Sequence, residues 1–223
     1  MSERSRRRYI VGITGASGAL YARRVISCIL TAGHECHLTV TPLGQRLLAD
    51  ELGLEAVTAK SAPLLALAGL PHNTDRRERG LFFYSSKDVG AAIGSGSFRH
   101  DGMVIVPCSS RTLCSIAAGT GDTLVARAAM CALKERMKLV LAHRETPLSL
   151  IDIRAMETVT LGGAIVCPAN PGFYLLPRSV DEIVDFVAGR LLDLLGCEHD
   201  LKVRWEERVE ADRSGETRTG PAC

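Results

Sequence analysis

The sequence predicts a single-domain α/β fold: a three-layer, Rossmann-like doubly wound parallel sheet. Three observations carry that expectation. Short runs rich in β-branched and apolar residues (Tyr9–Ile13, Cys36–Thr41, Gly102–Pro107, Lys138–Ala142) alternate with segments of helical period. Gly102-Met-Val-Ile-Val-Pro107 is apolar without alternation, as a central parallel strand buried on both faces should be. Gly12-Ile-Thr-Gly-Ala-Ser-Gly18 stands directly between the first run and a helical pattern. That strand–turn–helix plan points backbone N–H groups at a phosphate.

In chain order, residues 9–14 read as the first strand and 18–32 as the first helix, with Gly33 as its C-cap. Cys36–Thr41 is the second strand, and Pro42 opens a helix to Leu52, since proline suits a first helical turn. Residues 54–93 are less regular: Val57-Thr58 as a strand, Ala62–Leu70 as a short helix, the charged run Asp75–Arg79 as a loop, and Leu81–Tyr84 as a strand. After the turn Gly94-Ser-Gly-Ser97 comes the buried strand 102–107, then a helix over Ser109–Ala118. Asp122 or Thr123 caps a helix to Arg136. The strand 138–142, a helix over 149–161 and a strand over 164–167 follow. Ser179 with Glu182 reads as a capping box for a final helix to Leu195. Residues 1–8 are expected to be a disordered basic tail, 9–205 the domain, and 206–223 a charged, disordered tail.

Composition narrows the class. The 223 residues carry a net charge of +2, so charge alone implies neither a nucleic-acid nor a membrane partner. No apolar run reaches the roughly 20 residues of a membrane span. The eight cysteines form no C-x-x-C pair and mostly sit in apolar segments, which suits reduced thiols in a cytoplasmic protein.

Ligands of doubly wound sheets bind beyond the carboxyl ends of the strands. The loops Thr14–Gly18, Thr41-Pro42, Cys108–Thr112, His143–Pro147 and Pro168–Tyr174 should therefore hold the chemistry. The glycines are spaced Gly12-x-x-Gly15-x-x-Gly18, and no acid ends the second strand where an NAD ribose needs one. A mononucleotide fits better. Ser109, Ser110, Arg111 and Thr112 either form a second anion cradle or only cap a helix, with Arg111 in solvent. Arg127 and Lys134, seven apart on an apolar helix, share a face and either snorkel or meet an anion. Glu145 is a general acid/base candidate or half of a surface pair with Arg144. Tyr174 either bonds a ligand or packs. Arg190 falls within the apolar stripe Ile183, Phe186, Val187, Leu191 and Leu194, where a cation needs an anionic partner. His34-Glu-Cys-His37 points to alternate faces of a strand, so no metal site is expected. Ser17 lacks the G-x-S-x-G of a hydrolase elbow.

Together these loops resemble a known family. Gly12-Ile-Thr-Gly-Ala-Ser-Gly-Ala19, Gly94-Ser-Gly-Ser97, Met103-Val-Ile-Val-Pro-Cys-Ser109, Arg127-Ala-Ala129, Leu133-Lys-Glu-Arg136, Arg144-Glu-Thr-Pro-Leu148, Gly172-Phe-Tyr174 and Gly189-Arg190 stand in the order seen in UbiX-type flavin prenyltransferases. The resemblance spans residues 9–205. It implies a homo-oligomer, typically a dodecamer, that transfers a dimethylallyl group from dimethylallyl monophosphate to N5 and C6 of reduced FMN. The prenylated FMN then serves a UbiD-type decarboxylase, and no metal is implied. By the resemblance, Gly15, Ala16, Ser17, Thr41, Ser109, Ser110, Arg111, Thr112 and Arg127 contact FMN, with Ser17 near N5. Ser95, Lys134, Arg144, Tyr174 and Arg190 look like the substrate-phosphate set, and Glu145 like the acid/base residue; Ser17, Lys134 and Tyr174 join Glu145 as catalytic candidates. Glu51 resembles a residue reaching in from a neighbouring subunit, and Trp205 a C-terminal aromatic over the site. Arg111, Val89, Ser149 and Asp152 depart from the usual family residues. Two rivals are an FMN-dependent decarboxylase of cysteine-type substrates and a non-catalytic flavin-carrying decarboxylase subunit. The first typically has an Asn in the loop that here reads Ser109–Thr112 and a His near the first helix. The second has no use for a further phosphate site.

Overall fold

The computed structural model describes residues 6–201. Six parallel strands lie in the order β3-β2-β1-β4-β5-β6: β1 (Arg8–Ile13), β2 (Glu35–Val40), β3 (Leu81–Ser85), β4 (Gly102–Cys108), β5 (Leu139–His143) and β6 (Ile165–Val166). The helices are α1 (Ala19–Thr31), α2 (Pro42–Leu52), α3 (Ala62–Leu67), α4 (Ser110–Ala118), α5 (Leu124–Lys134), α6 (Leu150–Leu161) and α7 (Val180–Leu195), with a 3₁₀ turn at Ala92–Gly94. The strand order reverses between β1 and β4, which opens a crevice beyond their carboxyl ends.

Side-chain alternation divides the core into two layers. Tyr9, Val11, Ile13, Val104, Val106, Val140 and Ala142 face α1 and α7. Ile10, Met103, Ile105, Leu139 and Leu141 face α4, α5 and α6. Every residue of β4 is buried, as its unbroken apolar run requires. Pro107, which has no N–H to give the ladder, coincides with a register break between β4 and β5.

Several expectations are corrected. Val57-Thr58 is not a strand. The Gln45 carboxamide accepts from Val57 N at 3.0 Å and donates to Val57 O at 2.7 Å, doing the work of a neighbouring strand. The short helix stops at Leu67. Thr123, not Asp122, caps α5. Ser179 caps α7 through Glu182 N, but Glu182 turns its carboxylate to Arg178 N, so the box is half formed. The complete capping box belongs to α6: Ser149 and Asp152 serve each other's backbone N–H. β1 begins at Arg8, one residue before the expected start, and the Arg7 guanidinium donates to Gly196 O at 2.7 Å. Trp205 and the tail 206–223 lie outside the described residues.

Candidate active site

The Gly-rich turn after β1 is shaped first by packing. A Cβ at Gly15 would collide with Leu43 of α2, and one at Gly12 would stand 3.0 Å from Val125 of α5. Gly18 has φ 133, which L side chains rarely adopt. The N-terminus of α1 is already served by the protein. Glu51 accepts from Gly18 N at 3.1 Å and from Ala19 N at 2.8 Å. A carboxylate therefore holds the place where a phosphate would sit in the simplest strand–turn–helix reading. Within this chain Glu51 serves its own α1, whereas the resemblance had it reaching into a neighbour's site. Gly15 and Ser17 remain exposed at the turn, and Ala16 is buried.

Other helix starts at the crevice are likewise capped from within. Thr41 is buried at the N-cap of α2, where its hydroxyl accepts from Gly44 N at 3.1 Å and donates to Ile13 O at 3.3 Å. Ser109 caps α4 and donates to Thr112 Oγ1 at 3.2 Å. Arg111 is exposed, 3.8 Å from Asp122. Capping by Ser109 is present in the structure, and Arg111 stays at the surface. Thr14 ties the two crevice walls together: its hydroxyl donates to Pro107 O at 2.8 Å and accepts from Ser109 N at 2.8 Å.

β5 ends at His143, and the next residues carry the charge. Arg144 N donates to Cys108 O at 3.2 Å. The Arg144 Nε is buried with no hydrogen-bond partner. A buried guanidinium N–H left unpaired is costly, and an anion at this point would satisfy it. Glu145 is exposed, and its carboxylate accepts from the neighbouring Thr146 N at 3.1 Å. Ala169 N donates to His143 O at 2.9 Å, which anchors the segment leading to Tyr174. Tyr174 is 40% exposed and meets Phe186 edge-on at 5.4 Å.

Arg190 corrects the stripe expectation. The buried residues of α7 are Val184, Val187, Ala188, Gly189, Leu191, Leu192 and Leu195, and Arg190 is exposed. Ala188 and Gly189 lie on the buried face of α7, and Arg190 on its exposed face. It remains close enough to Cys167, just past β6, to act on that thiol, although burial pushes the thiol up more strongly.

The remaining residues gather elsewhere. Arg127 Nε donates to Gly94 O at 3.3 Å, and Ser95 bonds Ser97 in the same turn. Lys134, at the end of α5, is 3.3 Å from Glu135, which in turn is 3.9 Å from Arg99. Lys134 precedes β5 and Arg144 follows it. Five strand residues separate the two ends by about 13 Å. The sequence-derived set thus divides in one chain. Gly15, Ser17, Ser109, Arg144, Glu145 and Tyr174 border the crevice; Arg127 stands in the first turn of α5, whose Leu124 N donates to Ser86 O just past β3, with the Ser95 turn beside it, while Lys134 closes α5 toward the amino end of β5.

Sequence reasoning missed one cluster. The Ser110 hydroxyl lies 3.1 Å from His143 Nε2. Ser110, then the hydroxyl and amide of Ser149, hold the Asp152 carboxyl down at about 2. Burial pushes His143 below its ordinary value despite the pull of Asp152. His143 and Asp152 are both buried. The available signal was a histidine closing a strand otherwise made of Leu, Val and Ala.

A parallel 3-2-1-4-5-6 sheet with polar loops converging at its switch point is the architecture of a nucleotide- or flavin-binding protein. The Flavoprotein family model matches residues 1–192. Flavin prenyltransferase UbiX of Thermoplasma acidophilum is 43% identical over 198 residues, covering 89% of this chain and 99% of that protein. The crystal structure of AnUbiX (PadA1) with FMN and dimethylallyl pyrophosphate superposes with a TM-score of 0.75 at 37% identity, over 86% of this chain and 94% of the other. A dodecameric FMN-dependent UbiX-like decarboxylase from Escherichia coli O157:H7 gives 0.75 at 38% identity, over 89% and 98%. The chain is a flavoprotein, and within that class it belongs to the UbiX-type flavin prenyltransferases.

Proposed function

We propose that this prenyltransferase moves a dimethylallyl group from dimethylallyl monophosphate onto reduced FMN, and that its product serves a UbiD-type decarboxylase. The observation that carries the reading is Arg144: its buried, unpaired Nε stands beside an exposed carboxylate at the head of the crevice. That pairing suits departure of a phosphate, which needs a cation on its oxygens and a proton. Reduced FMN, when bound, supplies the nucleophilic N5 and C6. The residues fit such a group. Gly15, Ala16 and Ser17 offer backbone and a hydroxyl to a flat ring, Thr41 lines the same edge, and Ser109, Arg111, Thr112 and Arg127 offer hydroxyls and cations to a phosphate.

In this reading Arg144, Arg190 and Tyr174 hold the donor's phosphate. Glu145 delivers a proton to the departing phosphate oxygen as the allylic C–O bond breaks, and takes one up as the second ring bond forms. Ser17 holds the reacting end of the flavin in register. Lys134 and Ser95 lie too far along the fold to join the Arg144 group of their own chain, so a second copy supplies them. A homo-oligomer, in our reading a dodecamer, is therefore part of the site. The apolar residues Leu150, Ile151, Ile153 and Leu161, exposed on α6, suit such contacts.

Anaerobic incubation with reduced FMN and dimethylallyl monophosphate, followed by mass spectrometry of the extracted flavin, tests the reaction. A mass gain of one prenyl unit is expected, and unchanged flavin would refute it. The name of the Escherichia coli relative favours a second reading, FMN-dependent decarboxylation; unchanged flavin together with CO₂ released from a carboxylic acid substrate would establish that one.

A further inference from the structure

We propose that Ser110, His143 and Asp152 form a hydrogen-bonded strut that positions Arg144 and Glu145 against the loop after β4, with the Ser110 hydroxyl committed to the protein and not to the flavin phosphate. The inference rests on the role given above to Arg144 and Glu145. Asp152 is ionised and can only accept. The Ser110 hydroxyl lies 3.1 Å from His143 Nε2; with its single proton turned to the Asp152 carboxyl, which it lowers more than any other group does, it accepts from His143 in this arrangement. His143 therefore carries its proton on Nε2 and donates. Asp152 is held in turn by Ser149, whose hydroxyl and amide donate to Oδ2 at 2.6 and 2.9 Å.

The strut joins three elements. Ser110 opens α4, His143 closes β5 and Asp152 lies in the first turn of α6. Arg144 and Glu145 are the two residues next to His143, and its carbonyl also anchors Ala169 on the way to Tyr174. Loss of the Ser110 hydroxyl would remove the side-chain tie between α4 and β5 and leave the Arg144 N bond to Cys108 O to hold the loop alone. The charged groups around His143 are Asp152 from α6 and Arg144 and Glu145 from its own loop. β4 and α4 bring the thiols Cys108 and Cys114, both pushed up by burial, Cys108 to about 12.

Ser110→Ala, Ser110→Thr and Asp152→Asn are compared with the wild-type holoprotein. FMN affinity is read by fluorescence titration, prenyl transfer by single turnover at saturating flavin, and His143 by ¹⁵N spectra of histidine-labelled protein. Ser110→Ala should leave FMN affinity within about threefold, because the hydroxyl is not a ligand, yet slow transfer by about tenfold or more through misplacement. It should also shift the His143 resonance. Ser110→Thr, which keeps the hydroxyl, should restore both. Asp152→Asn should move the His143 titration to lower pH, since the carboxylate that raises it is gone. The strut is overturned if Ser110→Ala weakens FMN binding by about tenfold with an unchanged saturated rate, or leaves His143 unshifted. Should the wild-type protein transfer no prenyl group, the function proposed above falls, and the His143 spectra and FMN affinities still decide the strut.

Discussion

At the scale of single residues, Glu145 has the most exposed role. Its carboxylate is placed by the chain next to a half-buried Arg144 and is bonded only to Thr146 N among the described contacts. Glu145→Gln keeps the size and removes the proton. FMN binding should persist, and single-turnover prenyl transfer should fall by about 10²–10⁴-fold, the usual worth of a general acid; an unchanged rate would remove Glu145 from the chemistry. Gly15 makes a different kind of prediction. A methyl there meets Leu43 of α2, so Gly15→Ala should cost about 1–3 kcal/mol in a denaturant melt as α2 is pushed from the turn. Glu51→Ala strips the N-terminus of α1 of its capping carboxylate and should cost about 1 kcal/mol by the same measurement. Residue identities were legible in the sequence, but their directions were less so. Arg190 was assigned to a buried stripe because large apolar residues marked that face. Ala188 and Gly189, which carry little hydrophobic signal, set the true one.

At the scale of elements, helix starts are the recurring device. Thr41, Ser109, Thr123, Ser149 and Ser179 each cap a helix by accepting a backbone N–H. Such positions were readable because the capping residue types and their spacing are local. The α6 box has a pH signature. Asp152 is held near 2, below the ordinary carboxylate value of about 3.9. A lowered folded-state value means that its stabilisation is present in full above about pH 4 and fades as the pH falls toward about 2. Urea melts of the wild type and Asp152→Asn should therefore differ at neutral pH and converge once the pH is below about 2, where the carboxyl is protonated in both states; a gap that persists there would assign the effect to shape, not charge. The Val57-Thr58 run carries a local strand pattern but no strand partner: its backbone is served instead by the side-chain amide of Gln45, twelve residues earlier on a helix, which no local pattern records.

At the scale of the whole molecule, one chain holds the proposed chemistry in two places. Arg144, Glu145 and Tyr174 stand by the carboxyl ends of the strands. Lys134 lies before β5 and Ser95 on the turn bonded to Arg127. If copies complete each other's sites, disrupting assembly should remove activity without touching the crevice. Ile151 is 70% exposed on α6 and lies outside the strut. Ile151→Asp should give smaller species by light scattering and lose prenyl transfer while the α/β signal in circular dichroism is kept. Dodecamers with full activity would separate α6 from the assembly.

The sequence by itself determined the sheet, its central strand, the loops that carry polar chemistry and the family to which the chain belongs, because strand runs, caps and glycine turns are encoded over a few neighbouring residues. The tertiary structure alone decided which amides were already taken. Glu51 fills the N-terminus of α1, Thr14 bridges the crevice walls, and Ser110, His143 and Asp152 meet from three elements. Each of those contacts joins residues 32 or more positions apart, or depends on the one that does. A hydrogen bond is set by distance in space, and no local pattern of residues records it.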